Sequence, residues 1–272
     1  MDIAFCILFF AIIILLSGYY AFYSGDVTWL PTPQKLIETM LDMAFVTSVD
    51  CVIDLGSGDG RIVIAAAKRG ARAFGIECDQ GLVEFSRQAA AKEGLSERAT
   101  FEKADIFGSD FSKATVITLF LLAHHNIQLR AKILDMKPGT RIVSNTFDMR
   151  DWHPDKIMHL EQDLDWVTAF TSRGEQCNPP WCTAYLWIVP AKVNGTWNFE
   201  SGQINFIQHF QNIIGNMIVG KEKMDLFGKV NGNKIKFVAG DKEYSGTVSG
   251  NTITGTCGEE CFWTCTVAEK AM

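Results

Sequence analysis

No block of lysine or arginine occurs in this 272-residue chain, whose 25 basic and 31 acidic side chains leave a net charge of -6. A nucleic-acid surface needs clustered positive charge, so that class of partner is not expected. Paired CxxC knuckles are lacking too. The eight cysteines are scattered, and the late trio Cys257, Cys261 and Cys265 does not have zinc-knuckle spacing, so no metal is expected. A chain of this length with so few thiols is not a disulfide-stapled secreted fold. Extreme charge is missing as well: 21% charged and 47% hydrophobic residues exclude general disorder and supply a real core.

One further absence is local. Residues 3–23 contain no Lys or Arg, and no basic residue precedes them, since the chain starts Met1-Asp2. A cleavable signal peptide wants a basic start and a shorter apolar core. About 20 apolar residues are enough to cross a bilayer as a helix, and Tyr19, Tyr20, Phe22 and Tyr23 suit its interface. The expectation is a single-pass membrane anchor over 1–24. Lys35, Lys68 and Arg69 lie beyond it and lean toward a cytoplasmic body.

What is present begins at residue 25. After a short linker, Thr32 and Pro33 read as N-cap and first helical position of an amphipathic helix over 34–44. From 51 to 147, apolar runs alternate with helical segments. Strands are expected at 51–54, 73–76, 99–102, 115–122 and 141–147, and a helix at 127–136. Runs at 157–160 and 183–189 fit a closing antiparallel pair, with a loop at 171–181. This is the pattern of an α/β, Rossmann-like doubly wound sheet of seven strands, placed in a domain over 25–191. Beyond it, short alternating runs punctuated by Asn194-Gly195, Asn231-Gly232 and Gly250-Asn251 read as a β-rich accessory module over 192–272, a small sheet or barrel.

The chemistry concentrates in CVIDLGSGDGR and GIECD. A glycine turn between strand and helix lets backbone approach a ligand and aims helix N–H groups at it. Alone, Gly56-x-Gly58-x-Gly60 is compatible with several nucleotide cofactors. Asp54 and Asp59 make this turn acidic, which suits the ammonium end of a methionine and repels pyrophosphate. Glu77 ends the second strand, where a carboxylate can accept ribose hydroxyls. Asp105 follows the third, placed to accept from an adenine amino group. Together these point to S-adenosyl-L-methionine (AdoMet).

These residues resemble the class I AdoMet-dependent methyltransferases, with DLGSGDGR as motif I, GIECD as the acid after it, then KADIF and VITLFLL. A nearer resemblance is to the membrane-anchored mitochondrial protein-lysine methyltransferases of the ATP synthase c-subunit and adenine nucleotide translocase type. It is carried by the LPTP entry, DLGSGDGRIVIAAA, LFLL, PGTRIVSNTF and DWHPD. It covers about residues 28–155. It implies that Asp54, Gly56, Gly58, Gly60, Glu77 and Asp105 hold AdoMet and that Thr32 closes over it. Ser57, Asp59 and Ile106 complete the candidate cofactor set. Ala123-His124-His125-Asn126 stands where these relatives commonly carry a proline.

The expected activity is methyl transfer to a lysine of a membrane or membrane-proximal protein. Alternatives are a small-molecule or lipid acceptor, or a non-catalytic AdoMet-binding module. A lysine acceptor must first lose its proton, at about 4.6 kcal/mol at neutral pH from its reference pKa. His124, His125 and Asp148 are the candidates to take it, with His124 and Asp148 carried forward as catalytic.

Overall fold

In the computed structural model, residues 30–160, 182–258 and 261–268 are described. The expected span at 3–23 and loop at 171–181 lie outside them. Among the described residues no helix is long and apolar enough to cross a membrane.

Helix α1 (Gln34–Met43) turns Leu36, Ile37, Met40 and Leu41 to the core, the spacing of one helical face. Its N-cap differs from expectation. Pro33 takes that place, and its carbonyl accepts the N–H groups of Leu36 and Ile37 at 3.0 Å. A residue before proline is kept out of helical conformation, and the Thr32 hydroxyl is drawn inward to Asn145 instead.

Then come β1 (Cys51–Leu55), α2 (Arg61–Lys68), β2 (Arg72–Glu77), α3 (Gln80–Lys92), β3 (Ala99–Lys103), β4 (Val116–Leu119), α4 (Ala123–Leu134) and β5 (Arg141–Asn145). Strands β6 (Lys156–His159) and β7 (Thr183–Ile188) complete a seven-stranded sheet ordered β3-β2-β1-β4-β5-β7-β6. Strands β1 to β5 run parallel, and β7 is antiparallel to both neighbours, as expected. Side chains alternate across the pleat. Val52, Val116 and Val143 pack under α1, α2 and α3, while Ile53, Ile117 and Ile142 pack under α4.

Three boundaries depart most from the sequence reading, the first being strand β4, expected over 115–122 and found at Val116–Leu119. Helix α4 starts at Ala123, so His124 and His125 lie in its first turn rather than in a loop. Strand β5 stops at Asn145 because Thr146 adopts a left-handed φ of 63°, which breaks the extended run.

The remaining strands are β8 (Gly195–Phe199), β9 (Gly202–His209), β10 (Asn212–Val219), β11 (Glu222–Asn231), β12 (Lys234–Ala239), β13 (Lys242–Ser249), β14 (Thr252–Cys257) and β15 (Cys261–Val267). They close into a barrel through β15 and β8. Hairpin turns occur at Gly232 and Gly250, both with positive φ. Asn194-Gly195 is not a turn, because Gly195 already pairs with Phe206 in β8 and the Asn194 carboxamide accepts from Gln208 N. The barrel has its own core of Trp197, Ile204, Phe206, Val230, Ile235, Phe237 and Ile253.

The barrel seats firmly on the sheet domain. Phe210 stacks on buried Trp152 at 5.7 Å and lies beneath the Arg130 guanidinium. Gln211, also buried, donates to the His153 carbonyl at 2.7 Å. Gly232 comes so close to Gly139 that a Cβ there would sit 3.2 Å from its Cα.

Candidate functional site

The carboxyl tips of β1, β2, β3 and β4 lie around the glycine turn. Gly56, Gly58 and Gly60 all have φ between 53° and 80°, a region costly for side-chain-bearing residues. Close packing adds a second reason for glycine. A Cβ at Gly56 would meet Leu121 at 2.9 Å, and one at Gly60 would meet Phe101 at 2.7 Å.

The turn is tied to β2 more tightly than its sequence shows. Gly56 N and Ser57 N both donate to the Ile76 carbonyl, and Gly60 N donates to the Ser57 carbonyl. Gly58 N donates to Glu77 Oε2 at 2.9 Å. Four turn N–H groups are therefore spent inside the protein. What the turn presents is a bare backbone surface.

Glu77 is buried where it accepts these bonds. Its Oε1 receives Cys78 N, Asp79 N and, weakly, the Cys78 thiol at 3.3 Å. Asp105 stands beside it, because Ala104 N bonds the Glu77 carbonyl at the end of β3. The Asp105 side chain is exposed, with Oδ1 accepting from Phe107 N at 3.0 Å. Ile106 packs half-buried against the α4-side core.

Asp54 is 2% exposed and accepts one bond, from Thr118 Oγ1 at 2.7 Å. Burial pushes its pKa up to about 7 despite that bond, and the negative charges of Glu77 and Asp59 add to the rise. A carboxyl held this way is short of a positive partner. Asp59 is not so placed. Its carboxylate is gripped by Arg61, with Nε at 2.9 Å to both oxygens and Nη2 at 2.6 Å to Oδ2. The expected role of Asp59 toward an ammonium group therefore shifts to holding Arg61, whose Nη1 reaches the Thr32 carbonyl at 3.1 Å.

Thr32 is buried at the junction of three elements. Its carbonyl meets Arg61 from α2, and its hydroxyl accepts Asn145 Nδ2 from β5 at 3.4 Å. The Ser57 hydroxyl is buried with no hydrogen-bond partner. It lies against Gly75, where a Cβ would come within 2.6 Å of it. Gly75, Arg61 and Asn145 were not singled out from the sequence. Only the turn-plus-Arg pattern of GSGDGR carried a legible signal.

The candidate acceptor residues lie on α4 and in the segment after β5. Phe120 stacks on Phe147 at 6.3 Å. Buried Asn126 donates to the Phe147 carbonyl at 3.1 Å and the Asp148 carbonyl at 3.4 Å, so α4 holds this turn in place. Asp148 caps no helix; its Oδ1 accepts Arg150 N at 3.2 Å. Its charge, after burial, raises the pKa of Tyr185 across the sheet in β7. His124 is exposed, with its ring centroid 3.9 Å from that of His125. Burial and then His124 lower the His125 pKa, and its Nδ1 is buried without a partner. No group of three or more metal-ligating side chains occurs among the described residues. Cys265 is core, its thiol pushed up to about 12 by burial.

The tip residues fit a cationic nucleoside: a buried acid lacking a cation, a second acid beside it, and a glycine surface. Similar proteins agree. The family described as "ANTKMT methyltransferase domain" matches residues 54–156. A protein-lysine N-methyltransferase of Saccharolobus islandicus is 40% identical over 142 residues, 51% of this chain and 88% of that protein. The chain belongs to this methyltransferase family. A human lysine N-methyltransferase, named for the ATP synthase c-subunit, is 33% identical over 60% of this chain and 69% of its own length. A crystal structure described as an RNA methyltransferase from Salinibacter ruber, in complex with S-adenosyl-L-homocysteine, is 39% identical. It superposes with a TM-score of 0.52, covering 60% of this chain and 96% of that one. The fold is the Rossmann-like methyltransferase sheet, joined here to a separate β-barrel, and the cofactor is AdoMet.

Proposed function

We propose that the chain is an AdoMet-dependent protein-lysine N-methyltransferase acting on a membrane or membrane-proximal protein. The observation that carries the reading is the intact set of acids at the strand tips. Asp54 faces the ammonium end of the cofactor and Glu77 the ribose, through the second lone pair of Oε2 and the place now held by the weak Cys78 thiol. Asp105 offers Oδ2 to the adenine amine, with Ile106 alongside the base. Gly56, Ser57, Gly58 and Gly60 shape the turn beneath it, Asp59 acts through Arg61, and Thr32 closes the open side.

Bound AdoMet supplies an electrophilic methyl group on its sulfonium. The protein aligns the acceptor amine and excludes water. Phe120 and Phe147 form an apolar wall that favours a neutral amine. Asp148 and His124 are the proton acceptors at the mouth of that wall. A net charge of -6 gives no support to an RNA acceptor. The apolar run 3–23 motivates the membrane half of the reading, with the body on the cytoplasmic side, since tethering raises the local concentration of an acceptor in the same bilayer.

Mass spectrometry of membrane proteins from cells with and without the gene tests this. Loss of a methyl-lysine on a membrane protein is expected. Label from tritiated AdoMet appearing only in solvent-extractable lipid or small molecules would contradict it.

A further inference from the structure

We propose that the outer face of β9, β10 and β11 is a lipid-facing surface that docks the barrel on an anionic membrane. The pairing registers set Ile207 opposite Ile214 and Ile214 opposite Phe227. All three point out of the barrel and are 62%, 58% and 65% exposed. Directly opposed residues on one face of a sheet are side-chain neighbours, so these form a continuous apolar row, which Val238 extends in β12 and Glu243 ends in β13. Strand alternation should have made these positions polar, as Asn205, Asn216 and Asp225 are in the next row.

The row on the other side decides the occupant. It runs His209, Asn212, Lys229, Lys236, again by direct pairing. Lys229 and Lys236 are exposed, and the acid that faces Lys229 is Asp155 of the sheet domain rather than a residue of that row. Apolar side chains at headgroup depth with lysines on their flank are the arrangement of an interfacial membrane site. The proposal does not require the apolar run 3–23 to be inserted, nor the enzyme to act on lysine.

The test uses the full-length protein in phosphatidylcholine vesicles, with and without phosphatidylserine, carrying doxyl-labelled lipid. A Phe227→Trp variant is expected to show blue-shifted emission and stronger lipid quenching than a Thr254→Trp variant on β14. The difference should shrink without phosphatidylserine or in a Lys229→Glu, Lys236→Glu background. Each lysine charge removed is worth about a fivefold loss of lipid partitioning. Equal quenching at the two positions would overturn the proposal. So would a detergent-solubilised dimer that dissociates when Phe227 is replaced by Ser, because a second copy would then be the occupant. A matched circular dichroism spectrum for each variant excludes misfolding as the cause of a negative result.

Discussion

Two buried aspartates bracket strand β1, and they live in opposite circumstances. Asp50, at the amino end, accepts from Thr47 N at 2.9 Å, Thr47 Oγ1, Thr115 Oγ1 at 2.7 Å and the Arg141 guanidinium. Burial alone would raise its pKa, yet these bonds outweigh burial and hold it below 3.8. Asp54, at the carboxyl end, has Thr118 alone, and its pKa rises to about 7. A saturated buried carboxylate is structural. A starved one suits a ligand that brings positive charge, the role proposed for Asp54.

The contrast fixes opposite pH signs. Asp50 contributes stability above its ordinary value of 3.8, which is lost as pH falls through its lowered folded pKa. The contribution of Asp54 to the free protein is present below 3.8 and is lost as pH rises through about 7. On the proposed reading AdoMet reverses that sign, because its ammonium would favour the ionised carboxylate.

The largest expected effect is that of Asp54→Asn. AdoMet binding, followed by calorimetry, should weaken by roughly 2–5 kcal/mol. Thermal stability of the free protein at pH 8 should hold or rise, since a buried charge is removed. A matching loss of stability would erase the distinction between the two ends. Asp50→Asn should do the reverse and leave AdoMet affinity unchanged. Urea unfolding should show a loss of about 1–3 kcal/mol, with Arg141 deprived of its charged acceptor.

Gly75→Ala sits between these extremes. Its Cβ would press on Phe101 and on Ser57 in the turn. Both stability and AdoMet affinity should fall, with overpacking costing about 1–3 kcal/mol in denaturant titrations. Arg61→Ala is the mildest. Loss of its bond to Thr32 should reduce kcat/KM by about fivefold, near 1 kcal/mol, with little change in unfolding midpoint.

Much of the sheet was legible because parallel strands buried on both faces are near-continuous apolar runs between glycine turns. The acids at its tips were legible for the same reason: Asp54, Glu77 and Asp105 each end or follow such a run. Asp59 was misjudged, since nothing in the order of residues says that Arg61 folds back on it. Helix α4 began earlier than read because His124-His125-Asn126 is polar, yet Asn126 is buried and binds the turn after β5. Strands β9 and β10 are hard to read from sequence because Ile207 and Ile214 put apolar residues outside and spoil the alternation. Barrel closure depends on β8 meeting β15, a pairing far apart in sequence that no local pattern announces.

The most direct measurement is the proton released when AdoMet binds at pH 7, taken from calorimetry in two buffers of different ionisation enthalpy. With Asp54 near half-protonated in the free protein, about half a proton should leave on binding. No release would contradict the account, because Asp54 would then not be the group that meets the cofactor's positive charge.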